Sequence, residues 1–295
     1  MRRTLRTAAG LLAAAVGIAV AVPSQANAAP GTDRIGTSPY VAMGDSYSSA
    51  AGVNPLVPTA PPTCSRSTLN YAHDIAASTT PSSFTDVTCS GAQTSDFFSS
   101  QAAGVPPQLA AVTRNTRFVT MTIGGNDENV FVDSFFGCIQ VSITSGDIMG
   151  DPCRQKYGDT FVRETVTQTY RHLVAALTAV RTKAPAATVA ILGYPQILPE
   201  WGQLACYPTM PISLGDVHWL HEQQEVLNSV VKKAALQTGA RFINMGPSSR
   251  GHDVCQPESR RWIEPANGPV NAFPIHPNAT GEAAMAHQTL LQLGV

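Results

Sequence analysis

The chain predicts an α/β protein in which a parallel sheet is covered by helices on both faces. Three observations carry that expectation. Five short β-rich runs alternate with helical patterns along 295 residues, and strands separated by helices are joined by crossovers that set them parallel. The helical stretches repeat apolar side chains at helical spacing, as in Leu220, Leu227, Val230, Val231 and Ala234. The segments rich in Gly, Ser and Asn follow strands, at the edge where such sheets bind ligands.

The first residues precede that domain. Arg2, Arg3 and Arg6, an apolar stretch over residues 8–22 ended by Pro23, and Ala26-Asn27-Ala28 together read as an export signal cleaved after Ala28. Arg2-Arg3 leaves a twin-arginine route open beside the general one. A disordered lead-in over residues 29–38 and a single domain over 39–295 are expected to follow. Strands are expected at residues 40–43, 84–88, 117–123, 188–192 and 241–244. Helices are expected at 67–78, 160–183, 217–238 and 278–293, with Gly239 stopping the third.

Removing residues 1–28 takes three arginines and no acids, leaving 16 basic and 20 acidic residues and a formal charge of −4. Such a balance offers nucleic acid no basic footprint. No later segment is long and apolar enough to span a bilayer. Six cysteines downstream of an export signal read as three disulfides, although six allow fifteen pairings. Neighbours in sequence suggest Cys64 with Cys89, Cys138 with Cys153, and Cys206 with Cys255. No C-x-x-C spacing occurs, so a metal framework is disfavoured.

Chemistry enters at Gly44-Asp45-Ser46-Tyr47-Ser48, directly after the apolar run Tyr40-Val41-Ala42-Met43. A serine where a buried strand hands over to a helix meets free N–H groups and a positive dipole end, which suit a nucleophile that develops negative charge. Ser90-Gly91-Ala92 follows the second strand and Gly124-Gly125-Asn126-Asp127 the third. Gly91 and Gly124-Gly125, taken singly, read first as ordinary turn chemistry. Together they set bare backbone and one amide beside a serine, and acyl transfer needs a nucleophile, a base and oxyanion donors. Ser46, through its own N–H, Gly91 and Asn126 are the candidate donors.

Seven histidines compete as the base. His276 lies in Ile275-His276-Pro277-Asn278, a rigid turn before the last helix. His73, His172 and His287 fall inside expected helices, and His252 beside Asp253 is the main rival. His218 and His221 with Glu222 and Glu225 imitate a metal spacing, but H-E-x-x-E is not H-E-x-x-H.

There is no G-x-S-x-G, since Ser48 occupies the place of its second glycine. The order Gly44-Asp45-Ser46, Gly91, Gly125-Asn126-Asp127 and His276-Pro277 resembles the GDSL or SGNH hydrolase superfamily, from about residue 40 to the C-terminus. The export signal, Ser46-Tyr47-Ser48 and six cysteines are similar to its secreted actinobacterial lipases and esterases. The resemblance implies a three-layer α/β/α sandwich with a five-stranded parallel sheet. It also implies Ser46 as nucleophile, His276 as base, and Ser46, Gly91 and Asn126 as the oxyanion hole. The family's usual Asp, three residues before the histidine, is replaced by Phe273. Some of the secreted lipases use a main-chain carbonyl there, which points to Phe273 or Pro274. A carbonyl orienter carries no full charge, so His276 is expected to keep its ordinary pKa of about 6.5.

Ile197, Leu198, Trp201, Leu204, Tyr207, Met210 and Ile212, with Val130, Phe131, Phe135 and Phe136, read either as an acyl-chain groove or as a local core under long loops. The sequence is thus expected to encode a secreted, monomeric serine ester hydrolase without metal or organic cofactor. A lipase acting on acylglycerols is favoured, with phospholipase A1 and carbohydrate O-acetyl esterase as alternatives. A secreted binding domain on the same scaffold is the non-enzyme alternative.

Overall fold

A computed structural model describes residues 35–129, 132–158, 163 and 165–295. The expected export signal and most of the lead-in lie outside the described residues. Within the expected lead-in, Ile35 is buried and Ser82 N–H donates to Thr37 O at 3.0 Å.

Five strands form one sheet: β1 (Tyr40–Ala42), β2 (Phe84–Asp86), β3 (Phe118–Met121), β4 (Thr188–Leu192) and β5 (Arg241–Ile243). Their order is β2-β1-β3-β4-β5 and every pair is parallel, with Tyr40 opposite both Phe84 and Phe118. β1, β3 and most of β4 are buried along their length, which is why they read as continuous apolar runs rather than alternating ones.

The helices are α1 (Ser46–Ser49), α2 (Tyr71–Thr79), α3 (Gly137–Ser145), α4 (Pro152–Tyr157), α5 (Tyr170–Lys183), α6 (Leu214–Thr238), α7 (Gly246–Ser249) and α8 (Ala279–Leu293). From β1 the chain moves outward one way through α2 to β2, and from β3 the other way through α5 and α6 to β5. Right-handed crossovers therefore put α2 on one face and α5 and α6 on the other. α8 packs on α2, and α5 on α6, giving three layers. At the α2–α8 joint the buried Glu282 accepts Tyr71 N–H at 2.8 Å, and burial pushes its carboxyl well above the usual range.

Several boundaries move for identifiable reasons. Helix 67–78 begins instead at Tyr71, because the Asn70 side chain accepts His73 N–H at 2.9 Å and takes the N-cap. The strand expected at 84–88 runs only over Phe84–Asp86, and the Asp86 carboxylate takes Thr88 N–H at 2.9 Å. Helix 160–183 has regular geometry only from Tyr170, preceded by a π-helical turn at Thr165–Thr169; residues 159–162 and 164 lie outside the described residues. α3 and α4 were not expected, since both are short and sit among loop residues. Cys138 bonded to Cys153 clips them together.

Cys64 is bonded to Cys89 and Cys206 to Cys255. Each such bridge stabilises a fold by about 2 to 4 kcal/mol. Cys64–Cys89 also does local work: Cys89 N–H donates to Gly44 O at 3.0 Å and Ser90 N–H to Cys64 O at 3.0 Å, so the loop after β2 lies along the loop after β1.

Candidate active site

Ser46 opens α1, a single turn that follows β1. Gly44 makes the turn possible with φ +121°, and a Cβ there would lie 2.3 Å from Thr122 O. No L side chain fits that space. The buried Gln108 holds Gly44 from both sides, accepting its N–H at 2.7 Å and donating to its carbonyl at 3.0 Å. Asp45 caps the turn by accepting Tyr47 N–H at 3.0 Å. Ser48 receives Thr122 N–H at 2.7 Å, a bond that ends β3 at Met121 rather than at the expected 123.

Ser46 is 7 % exposed, at the wall of a cavity of ≈ 10 Å³ lined by Asp45, Ser46, Tyr47, Gly125, Asn126 and Tyr194. That volume admits about one oxygen-sized group. The loops after β1 and β3 therefore share a wall, as the sequence order anticipates.

The loop after β2 joins them through side chains. Asn126 Nδ2 donates to Ala92 O at 3.0 Å, which fixes the flip of the amide and leaves its second N–H outside that bond. Asp127, 2 % exposed, accepts both the N–H and the hydroxyl of Thr94 at 2.8 and 2.7 Å. Burial raises the Asp127 pKa against those two bonds. Gly91 sits beside Ala92 with φ +77°, and a Cβ there would meet only the Gln101 side chain at 3.6 Å. Backbone conformation, rather than crowding, is what calls for glycine at 91.

His276 reaches the site on a strap from residue 263 to 278. Glu264 N–H donates to His276 O and Ile275 N–H to Glu264 O, each at 2.9 Å. Ile275 adopts φ +63°, a left-handed conformation that a β-branched residue takes only under constraint, at a cost of about 1 to 3 kcal/mol. The constraint is visible: Tyr47 donates its hydroxyl to Ile275 O at 2.6 Å. The Tyr47 and His276 rings are 5.3 Å apart, so the residue after Ser46 lies against the imidazole. Phe273 N–H donates to Ala51 O at 3.0 Å, fastening the strap to the residues just past α1.

His276 Nδ1 is 2.7 Å from Pro274 O. A carbonyl only accepts, so Nδ1 carries the proton and Nε2 the lone pair. The upstream carboxylates Glu264 and Asp253 are engaged elsewhere. Glu264 accepts from Arg261 at 2.6 Å, from Asn278 at 3.0 Å and from Val270 N–H at 3.0 Å, and Asp253 accepts Cys255 N–H at 3.0 Å. The rival His252 stacks on Trp262 at 4.2 Å and its Nδ1 is 2.6 Å from Arg260 O, a packing role. His218 stacks likewise on Trp201 at 4.0 Å. Among the described residues no group of three or more His, Cys, Asp or Glu is placed to hold a metal ion.

The expected ordinary pKa for His276 is corrected. Burial lowers it from 6.5 to about 4, and the hydrogen bond to Pro274 opposes this only in part. Taking charge out of water outweighs one neutral acceptor. A base is active in its neutral form, so kcat/KM is expected to rise with pH through a midpoint below 6.5 and to be level by neutral pH. An acid-range pH series on a soluble ester checks this, and a midpoint at or above 6.5 would mean that a charge stabilises the imidazolium.

For the apolar loop, the structure decides between the two readings. Ile197, Leu198, Met210 and Ile212 are each 1–2 % exposed and belong to the main core, as does Phe135. They are part of the core, not a groove. Trp201, Leu204 and Phe136 remain exposed, while Val130 and Phe131 lie outside the described residues. Sequence reasoning missed Tyr47, Gln108 and Tyr194 as site residues. For Tyr194 a signal existed, since it follows β4 on the edge where the other loops gather.

The profile of the GDSL-like Lipase/Acylhydrolase family matches residues 42–284. Lipase 2 of Streptomyces coelicolor is 43% identical over 288 residues, 98% of this chain and 95% of that protein. The crystal structure of phospholipase A1 from Streptomyces albidoflavus NA297 superposes with a TM-score of 0.73 at 27% identity, covering 87% of this chain and 99% of that one. That of an extracellular lipase from Streptomyces rimosus gives a TM-score of 0.70 at 27% identity, with 88% and 100% covered.

Proposed function

The chain belongs to the GDSL-like lipase/acylhydrolase family, and from that premise we infer that it is a lipase-type ester hydrolase working through an acyl-enzyme at Ser46. His276 Nε2 takes the Ser46 proton as Oγ attacks the ester carbonyl. The oxyanion is held by the N–H groups of Ser46 and Gly91 and by the second N–H of Asn126. His276 then returns the proton to the leaving alcohol, and a water activated by the same ring releases the acid. The proton on Nδ1 stays there throughout, hydrogen-bonded to Pro274 O, so the pair works as a dyad with a main-chain orienter. One observation carries the reading: the Ser46 turn, the Asn126 loop and the His276 strap converge, with Asn126 on the Ser46 cavity and Tyr47 against the imidazole.

The favoured substrates are fatty acyl esters of glycerol, in line with the relatives named lipase. The phospholipase A1 likeness supports sn-1 phospholipid hydrolysis as a second reading. The three disulfides, and the S. rimosus structure described as extracellular, support export as one catalytic unit over residues 39–295. No helix among the described residues is long and apolar enough to cross a membrane. A panel of p-nitrophenyl esters of increasing length, run beside a triacylglycerol, a phospholipid and an acetylated sugar, tests the substrate. Rates that rise beyond the acetyl ester support fatty acyl substrates, and activity confined to acetyl esters would overturn them.

A further inference from the structure

Tyr194 is 2 % exposed and follows β4, yet its hydroxyl reaches between two loops that carry candidate chemistry. It donates to Asp45 Oδ2 at 2.5 Å and accepts Gly125 N–H at 2.8 Å. The directions are forced: an amide N–H only donates, so the hydroxyl proton must go to the carboxylate. Asp45 caps the Ser46 turn, and Gly125 is the residue before Asn126. One oxygen thus spans from the nucleophile's cap to the backbone of the oxyanion loop.

The ring is itself held. Tyr194 N–H donates to Asn228 Oδ1 at 2.8 Å and its carbonyl accepts from Asn228 Nδ2 at 3.0 Å, both from α6. Its ring meets that of Tyr47 edge-on, 5.1 Å apart at 83°. Asp45 is fixed from the other side by Thr122 Oγ1 at 2.6 Å. Gly125 is small because a Cβ there would lie 2.9 Å from the Tyr194 hydroxyl. Phenylalanine would bury nearly the same apolar ring without a hydroxyl to satisfy, and a buried hydroxyl costs free energy unless bonded. Packing alone gives no reason for tyrosine here.

We propose that Tyr194 is a positioning residue for ester hydrolysis, setting the Gly125-Asn126 backbone against Ser46 through its bond to Gly125 N–H and its anchor on Asp45. The proposal rests on the acyl-enzyme reading above. Hydrolysis needs the Asn126 amide where charge develops in the transition state, and a misplacement of about 1 Å costs on the order of a hundredfold. Burial pushes the Tyr194 hydroxyl well above its ordinary range, so it remains a donor to Asp45 at neutral pH.

The test is Tyr194→Phe in the full chain, assayed with a soluble short-chain ester. kcat is expected to fall about 10- to 100-fold while KM stays within about twofold, because the bond acts on the transition state and not on ground-state binding. A tetrahedral boronic acid inhibitor should weaken in proportion to kcat. A purely structural tyrosine would lower the melting temperature and leave kcat of the folded enzyme and the inhibitor constant unmoved, which would overturn the proposal. Gly125→Ala displaces the same hydroxyl and serves if Tyr194→Phe fails to fold: a kcat loss with KM held supports the proposal, and unchanged kcat overturns it. When both variants fold, their losses should not add, since they break one bond. Fluorophosphonate labelling separates the two levels. Wild type that does not label at Ser46 counts against the acyl-enzyme reading, whereas Ser46 labelled in both forms with equal kcat counts against Tyr194 alone.

Discussion

Ser46→Ala is expected to lower kcat for ester hydrolysis by about 10⁴- to 10⁶-fold, the range seen when a serine hydrolase loses its nucleophile. The melting temperature should not change. The bonds that build the turn use the Ser46 carbonyl, which accepts Ala51 N–H at 3.1 Å and the Ser49 hydroxyl at 3.3 Å, and alanine keeps that carbonyl. Fluorophosphonate labelling should vanish with activity. Neighbouring Ser48 offers no substitute, because its Oγ is engaged by Thr122 and Tyr71. Labelling that persists in the variant, at any serine, would remove Ser46 from the nucleophile's role.

His276→Asn is expected to cost a similar factor, about 10⁴-fold or more in kcat. The asparagine amide can still donate to Pro274 O, so the strap keeps its shape while the base is lost. The same strap decides what orients the imidazole. Asp253→Asn should leave kcat within about tenfold, because Asp253 bonds Cys255 N–H rather than the ring. Glu264→Gln should lower stability more than kcat, since Glu264 ties Arg261, Asn278 and Val270 around the strap. A hundredfold loss of kcat in folded Asp253→Asn would replace the main-chain orienter with a carboxylate.

The strap also explains why a histidine with a carbonyl partner departs from its ordinary pKa. From sequence, Pro274 and the missing Asp at 273 suggest a neutral acceptor, and neutrality suggests no shift. The structure adds burial, which favours the uncharged ring and brings the pKa to about 4. A low pKa makes the ring a weaker base that is already unprotonated at Nε2 at neutral pH. Acyl transfer then relies more on placement and on the oxyanion donors.

What the sequence determined by itself is what local spacing can encode. Alternating strands and helices set the parallel sheet, a Gly-Asp-Ser after a buried strand marked the candidate nucleophile's turn, and a His-Pro before a capped helix marked the candidate base. Each signal spans a few residues and rests on backbone propensity or a cap. Tertiary structure decided the rest, because the deciding bonds join residues far apart in the chain. Tyr47 meets Ile275 across 228 positions and Tyr194 meets Asp45 across 149, and no window of sequence contains both partners. The apolar loop from Ile197 to Ile212 shows the same limit. Its residues read alike for a groove or a core, and only the side chains packed over them settle which surface leaves water.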